Sequence, residues 1–312
     1  MVVNLSLEML CFVLAGILLV RLNILEKGFA KKLSTFIMDV ALPCMLVRII
    51  TQEEFEGDLA ELAVIIGMAF AYLAVLFILG QVFYKAMGQT ENARLARFSC
   101  IFTNFTFFGV PIMEGLYGAR GLFLFTMFCL PARFFYYGSP AMLLTGASEH
   151  KGLTFRQKAR HYITPPIIAI FIGLFLYFTG IELPSFLSNA VKGMGGVCSP
   201  LGMMICGMTI ADVRLKDVIT NRPAIIMTLA KGLAAPLCII ALVCFIPLDP
   251  LLKKVICMDA ALPIPALITT FSLQYNLSEP SCRNASLALC ASTVLAIIST
   301  PLWAMAFDVI FK

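Results

Sequence analysis

Ten apolar stretches, each close to the length of a bilayer-crossing helix, follow one another along these 312 residues with only short polar connections between them. They fall at about 5–20, 33–50, 60–83, 98–115, 121–145, 163–180, 188–211, 223–247, 255–275 and 284–310. A hydrocarbon core about 30 Å thick takes roughly 20 apolar residues per helix, so ten spans use up the chain and leave no sizeable soluble domain. With 60% apolar residues, 13% charged residues and a mean hydropathy of +0.94, the composition excludes a water-facing globule. The net charge of +5 includes no basic run long enough for nucleic acid, so the lipid bilayer is the partner that the sequence is fitted to. Met1 to Val20 has no basic segment before it and contains Glu8, so it reads as the first span rather than a leader.

The charges between the stretches set the topology. The first loop carries Arg21, Lys27, Lys31 and Lys32, the third Lys85, Arg94 and Arg97, the fifth Lys151, Arg156, Lys158 and Arg160, and the seventh Arg214, Lys216 and Arg222. The second holds Glu53, Glu54, Glu56, Asp58 and Glu61 without a basic residue, and the other even loops are poor in them. By the positive-inside bias the odd loops are cytoplasmic and both termini lie outside. Ten helices with both ends on one side divide into two sets of five, residues 1–150 and 151–312, and the odd number inverts the second set. Gly16 is followed by Ile24 and Pro43 at the same intervals at which Ile181 and Pro200 follow Gly173, and Ser139-Pro140 has a counterpart in Thr300-Pro301. Inverted repeats of this kind are a property of secondary transporters.

The fourth stretch reads Phe102-Thr-Asn104-Phe-Thr-Phe-Phe-Gly109-Val-Pro111, and the ninth Asp259-Ala-Ala-Leu-Pro263-Ile-Pro265. Proline removes an amide donor and clashes with the preceding turn, so both helices are expected to unwind near mid-membrane, at Gly109 with Pro111 and at Pro263 with Pro265. Unwound backbone is tolerated at that depth where protein buries it or where it lines a cavity. New half-helices are expected to start after Pro111 and after Pro265, turning two electropositive ends toward one carboxylate, with the Asn104 amide offered to the same anion.

Asn104 followed by Gly109-x-Pro111 and Tyr117-Gly118, Asp39-Val-Ala-Leu-Pro43, Pro165 with Gly173, Ala235-Pro236 and Ala260-Ala-Leu-Pro263 resemble the auxin efflux carrier family over essentially the whole chain. That family includes plant auxin exporters and bacterial permeases for malate and malonate. The resemblance implies an all-α polytopic membrane protein with ten transmembrane helices in two inverted five-helix repeats, of the NhaA and bile-acid symporter type. It further implies crossing, broken helices four and nine, a scaffold of spans 1, 2, 6 and 7, an elevator-like transport domain of spans 3–5 and 8–10, and a homodimer. Asn104 is implied to contact the substrate carboxylate. About 17 residues separate spans five and six, which looks like the prokaryotic branch and a bacterial inner membrane.

Ionisable groups at mid-membrane cost roughly 2.5 to 3.5 kcal/mol each, so each needs a partner, a cavity or a route to the interface. Arg133, about twelve residues into the fifth stretch, is expected either to pair with the substrate carboxylate, with Tyr136 or Tyr137 one turn away, or to form a salt bridge with Asp39 or Asp259. Asp259, one turn before Pro263, is a candidate for a coupling H+ or Na+, or a solvated or paired carboxylate. Lys231 either extends to the cytoplasmic surface or compensates charge inside. Asp39 and Asp259 share the pattern Met-Asp-x-Ala-Leu-Pro, which leaves an intramembrane aspartyl protease as a competing reading and a non-transporting receptor as another. His150 and His161 lack metal-ligand spacing around them, and most of the 11 cysteines lie in apolar stretches as packing residues, so no metal or other cofactor is expected.

Overall fold

The computed structural model describes residues 2–26, 29–52, 59–145, 165–211 and 214–311. Lys27, the acidic run Glu53, Glu54, Glu56 and Asp58, the fifth-loop residues His150, Lys151, Arg156, Lys158, Arg160 and His161, and the junction at 150/151 lie outside the described residues.

All ten apolar stretches contain helix, and no strand occurs among the described residues. In chain order the helices are α1 Val2–Arg21, α2 Phe29–Phe36, α3 Leu42–Gln52, α4 Leu59–Ala86, α5 Glu91–Ile101, α6 Val110–Gly138, α7 Pro140–Leu144 and α8 Pro165–Thr179. They continue with α9 Ser185–Gly196, α10 Cys198–Ala211, α11 Leu215–Thr220, α12 Arg222–Leu229, α13 Ala235–Cys244, α14 Pro250–Ala261, α15 Ile268–Gln274 and α16 Glu279–Ile310. Five helical runs among the described residues are long and apolar enough to cross a membrane: Lys32–Thr51, Ala60–Ala86, Glu91–Tyr136, Arg222–Cys244 and Glu279–Ile310. α4 is apolar all round, burying Ile65, Tyr72 and Leu76 while exposing Phe70, Phe77 and Ile78. α16 likewise exposes Ile298, Leu302, Met305 and Val309, and such faces suit contact with lipid rather than water. The protein is a helical membrane protein.

Widened π-turns at Ile37–Ala41, Phe105–Gly109 and Ala230–Ala234 each stand two residues ahead of a proline, Pro43, Pro111 and Pro236. The proline ring cannot accept the carbonyl four residues back, and the wider turn makes room for it without ending the helix. Within α6, Gly118 has φ 64° and ψ −163°, a conformation closed to other residues, and it turns the chain from the fourth stretch into the fifth almost without a loop.

α1 lies along α10 with the backbones in contact: a Cβ on Gly16 would collide with the Met204 carbonyl, and one on Gly207 with the Val13 carbonyl. α3 packs on α8, where Gly173 faces Ile50, and on α9, where Gly195 meets the backbone of Met45. α4 packs on α5 and α6, α13 on α14, and α12 and α14 on α16. Polar residues gather at the two ends. At one, the Ser278 amide donates to Glu91 (3.1 Å), Asn284 bonds both Asn92 (3.0 Å) and Asn221 (2.7 Å), and Arg283 pairs with Asp217 (3.0 Å). At the other, Lys254 pairs with Asp308 at 2.7 Å. Residues of the third, seventh and ninth connections thus meet one another.

Candidate functional site

The fourth and ninth stretches are both interrupted, and the interruptions touch. The backbone amide of Asn104 donates to the carbonyl of Pro263 at 2.9 Å. In the fourth stretch the break lies at Phe102–Asn104, about two turns earlier than the sequence suggests, and Pro111 sits in the first turn of α6. Proline is tolerated there because a first-turn amide has no intrahelical partner, so the unwinding is displaced toward the N-terminus through the π-turn. The half-helix starts at Phe105 rather than after Pro111. Asn104 caps it: the side-chain oxygen accepts from the Phe107 amide (3.2 Å), while its carbonyl accepts from Phe108 (3.3 Å) and Gly109 (2.9 Å).

The ninth stretch leaves helix at Leu262 and resumes at Ile268, so its second half also starts later than expected from Pro265. Of its freed donors, the Ile264 amide is met from outside, donating to Ser292 Oγ of α16 at 3.2 Å, and the Ile268 amide is met locally, donating to the Pro265 carbonyl at 3.1 Å. Gly109 serves the crossing by its size, since a Cβ there would come within 2.7 Å of both the Leu262 and Phe125 side chains.

Two pockets adjoin the crossing, and both are lined by Asn104 and Ala266. The first is completed by Met38, Thr103, Phe105, Thr106, Phe107, Tyr136 and Leu267 and has room for about one water molecule. The second is completed by Ile205, Cys206, Ile210, Leu289, Cys290 and Thr293 and is equally small. Tyr136 is set among the rings of Phe98, Phe102, Phe105 and Phe271, with centroids 5.1–5.9 Å away. The Asn104 amide nitrogen is 4.0 Å from the Cys206 sulfur of α10. One side chain therefore touches both pockets and bridges the broken helix to its neighbour from the other half.

Arg133, Lys231 and Asp259 are the charged side chains buried among the described residues, two cations and one anion. Arg133 is fully buried with its guanidinium 4.7 Å from the Phe105 ring centroid, and none of its three nitrogens has a hydrogen-bond partner among the described residues. It stands against the residue after Asn104 but lines neither pocket. The expected salt bridge to Asp39 or Asp259 is not formed. Asp39 is exposed and Asp259 buried. Lys231 reaches neither surface, being wholly buried on the Ala230–Ala234 turn. Asp259 accepts from Thr103 Oγ1 at 2.9 Å, which ties it to the residue beside Asn104.

Of the residues singled out from sequence, Asn104, Pro263 and Pro265 lie at the crossing and Gly109 beside it, with Pro111 just beyond in α6 and Arg133 and Asp259 one residue removed from it. The Tyr137 side chain lies outside the described residues, whereas Tyr136 forms pocket wall. Thr103, Met38, Cys206 and Ser292 were not anticipated. Thr103 adjoins Asn104 in sequence and was within reach; the other three come from distant stretches and carry no local signal.

Interrupted helices that meet inside a helical membrane protein are an arrangement found in secondary transporters. The profile of the membrane transport protein family matches residues 1–304, and the chain belongs to this family, that of the auxin efflux carriers. It is similar to an uncharacterized transporter of Methanothermobacter thermautotrophicus, 24% identical over 307 residues and covering 96% of each chain. It is also similar to an uncharacterized transporter of Methanocaldococcus jannaschii, 22% identical over 307 residues, covering 94% of this chain and 95% of the relative.

Proposed function

We propose that the protein is a secondary carrier for a small organic anion, a carboxylate such as malate, malonate or an auxin-like acid, working by elevator-type alternating access. The observation that carries this reading is Asn104, placed at the hydrogen-bonded contact of two broken helices and lining two small pockets. The Asn104 amide is the ligand group, and the first turn of the capped half-helix adds free backbone donors. Pro263 and Pro265 hold the opposite strand of the crossing open, and Gly109 and Pro111 shape the entry to α6. The buried charges among the described residues favour an anion: one carboxylate is set against two cations, and the Arg133 guanidinium, beside the Phe105 ring, has no hydrogen-bond partner among those residues.

Division into a scaffold of spans 1, 2, 6 and 7 and a transport domain of spans 3–5 and 8–10 is supported by packing. α1 lies on α10 and α3 on α8, so each half sets its first helix against the second span of the other. Gly16 and Gly173 make these two approaches, at equivalent positions of the proposed inverted repeats 1–150 and 151–312. The remaining parts of the reading are a homodimer in a bacterial inner membrane with both termini outside.

Detergent-purified protein screened against mono- and dicarboxylates is expected to show a concentration-dependent rise in Tm with at least one of them. That ligand should then drive counterflow in liposomes. Asn104→Ala should abolish the ligand-induced rise, and a full rise in the folded variant would remove Asn104 from the site.

A further inference from the structure

Two of the ion pairs stay on the proposed transport domain: Lys254 with Asp308 joins α14 to α16, and Arg283 with Asp217 joins α16 to the seventh connection packed on it. Another crosses the proposed division. Arg48 of α3, in the second span, donates to Glu114 Oε1 of α6, in the fourth, at 3.1 Å, and Ser199 Oγ of α10, in the seventh, donates to Glu114 Oε2 at a long 3.5 Å. Both carboxylate oxygens are thus met from scaffold helices, and among the described residues the transport domain supplies a partner to neither. The seventh span comes this close by way of Gly202, one turn on from Ser199, where a Cβ would lie 3.1 Å from the Phe107 Cα. The same helices fix where the cluster stands. Met38, Asn104 and Cys206 line the pockets, from the second, fourth and seventh spans. Arg48 and Glu114 lie ten residues beyond the first two of these, roughly 15 Å of helix, and Ser199 lies seven residues before the third on a helix of opposite sense. All three are displaced to one side of the pockets, toward the second and fourth connections.

We propose that Arg48, Glu114 and Ser199 form a latch that ties the transport domain to the scaffold, shuts the face of the second and fourth connections, and is undone in each stroke of the carrier. The inference rests on the carrier reading given above, with its scaffold and transport domain. The latch is built to be broken. Arg48 and Glu114 each stand one turn from the end of their span, and their side chains are 17% and 40% exposed. Pairs of this kind bias an equilibrium by a few-fold and not by orders of magnitude. With the latch closed, Cys198, the neighbour of Ser199, is fully buried. Release admits water to Cys198 and, as the transport domain moves, seals the other end of α10 around Cys206. Two native thiols on one scaffold helix therefore report opposite sides of the same motion.

The test follows those thiols and needs no substrate. Detergent-purified wild type, Arg48→Gln and Glu114→Gln are treated with a neutral, water-soluble maleimide, and the labelling rates of Cys198 and Cys206 are read peptide by peptide by mass spectrometry. Each variant should label Cys198 about fivefold faster than wild type, and Cys206 more slowly. Losing a positive and losing a negative charge push the ionisation of a neighbouring thiol in opposite directions, so acceleration of Cys198 in both variants reports access and not electrostatics. Folded variants with the wild-type Cys198 rate would overturn the proposal. So would acceleration of Cys198 and Cys206 together, which is general loosening. If neither variant folds, wild type carries the test, because salt at about 1 M screens a partly exposed pair: a Cys198 rate equal to that at about 0.1 M would overturn the latch. None of these results touches the carboxylate screen of the carrier reading, so the two fail separately.

Discussion

The two interruptions at the crossing are built differently. The fourth stretch caps itself: Asn104 supplies the oxygen for its own half-helix, and the chain resumes at once through a π-turn into the long helix α6. The ninth opens over Leu262 to Leu267, ends in a short helix, and depends on Ser292 of α16 and on the Asn104 amide for order. One break is local and self-sufficient. The other is held by its neighbours, so its shape reports where α16 and the fourth stretch stand. In a moving carrier this asymmetry makes the ninth break the more responsive one, and the fourth the more rigid platform for a ligand.

The contact between the breaks is the most sensitive place to test this. Gly109→Val puts branched carbon against Leu262 and Phe125, and should lower stability by about 1–3 kcal/mol through overpacking, read as a lower Tm of the purified protein. A Tm equal to wild type would mean that the breaks are not in close contact. Ser292→Ala strands the buried Ile264 amide, at a cost of about 1–3 kcal/mol if no water replaces the hydroxyl. Hydrogen exchange should accelerate over 262–267 and stay unchanged over 102–109; equal acceleration in both would erase the distinction between them. Asn104→Asp retains an N-cap acceptor, but it places a carboxylate at a buried position and should lower stability by roughly 2.5 kcal/mol or less, according to how far the group is protonated. The lost amide donor and added negative charge should also eliminate the carboxylate-induced Tm rise. Retention of that rise would make Asn104 a capping residue and nothing more.

Much of the fold is legible in the sequence because a bilayer leaves a chain few options. The apolar stretches contain the helices to within a few residues at most ends, and paired prolines announce the breaks. What misleads is the range over which a proline acts. Pro111 points to itself, yet the helix comes apart at Phe102–Asn104, since the ring's conflict lies with the preceding turn and a first-turn proline costs nothing. The cap at Asn104 follows from local geometry and is readable, whereas Met38 and Cys206 reach the pockets only through packing between distant stretches. Lys231 shows the same limit. A lysine nine residues into an apolar stretch has a stem long enough to reach water, and only the neighbours of the π-turn decide that it stays inside.

The three wide turns ahead of Pro43, Pro111 and Pro236 each carry one surplus residue. In an unconstrained helix such a surplus can migrate, rotating everything it passes by about 100° per residue. An imino acid two positions downstream blocks that drift, so the azimuth of every side chain beyond each turn is locked. Excising a single residue from any of the three would spin the following segment by that angle and present lipid with what now faces the interior.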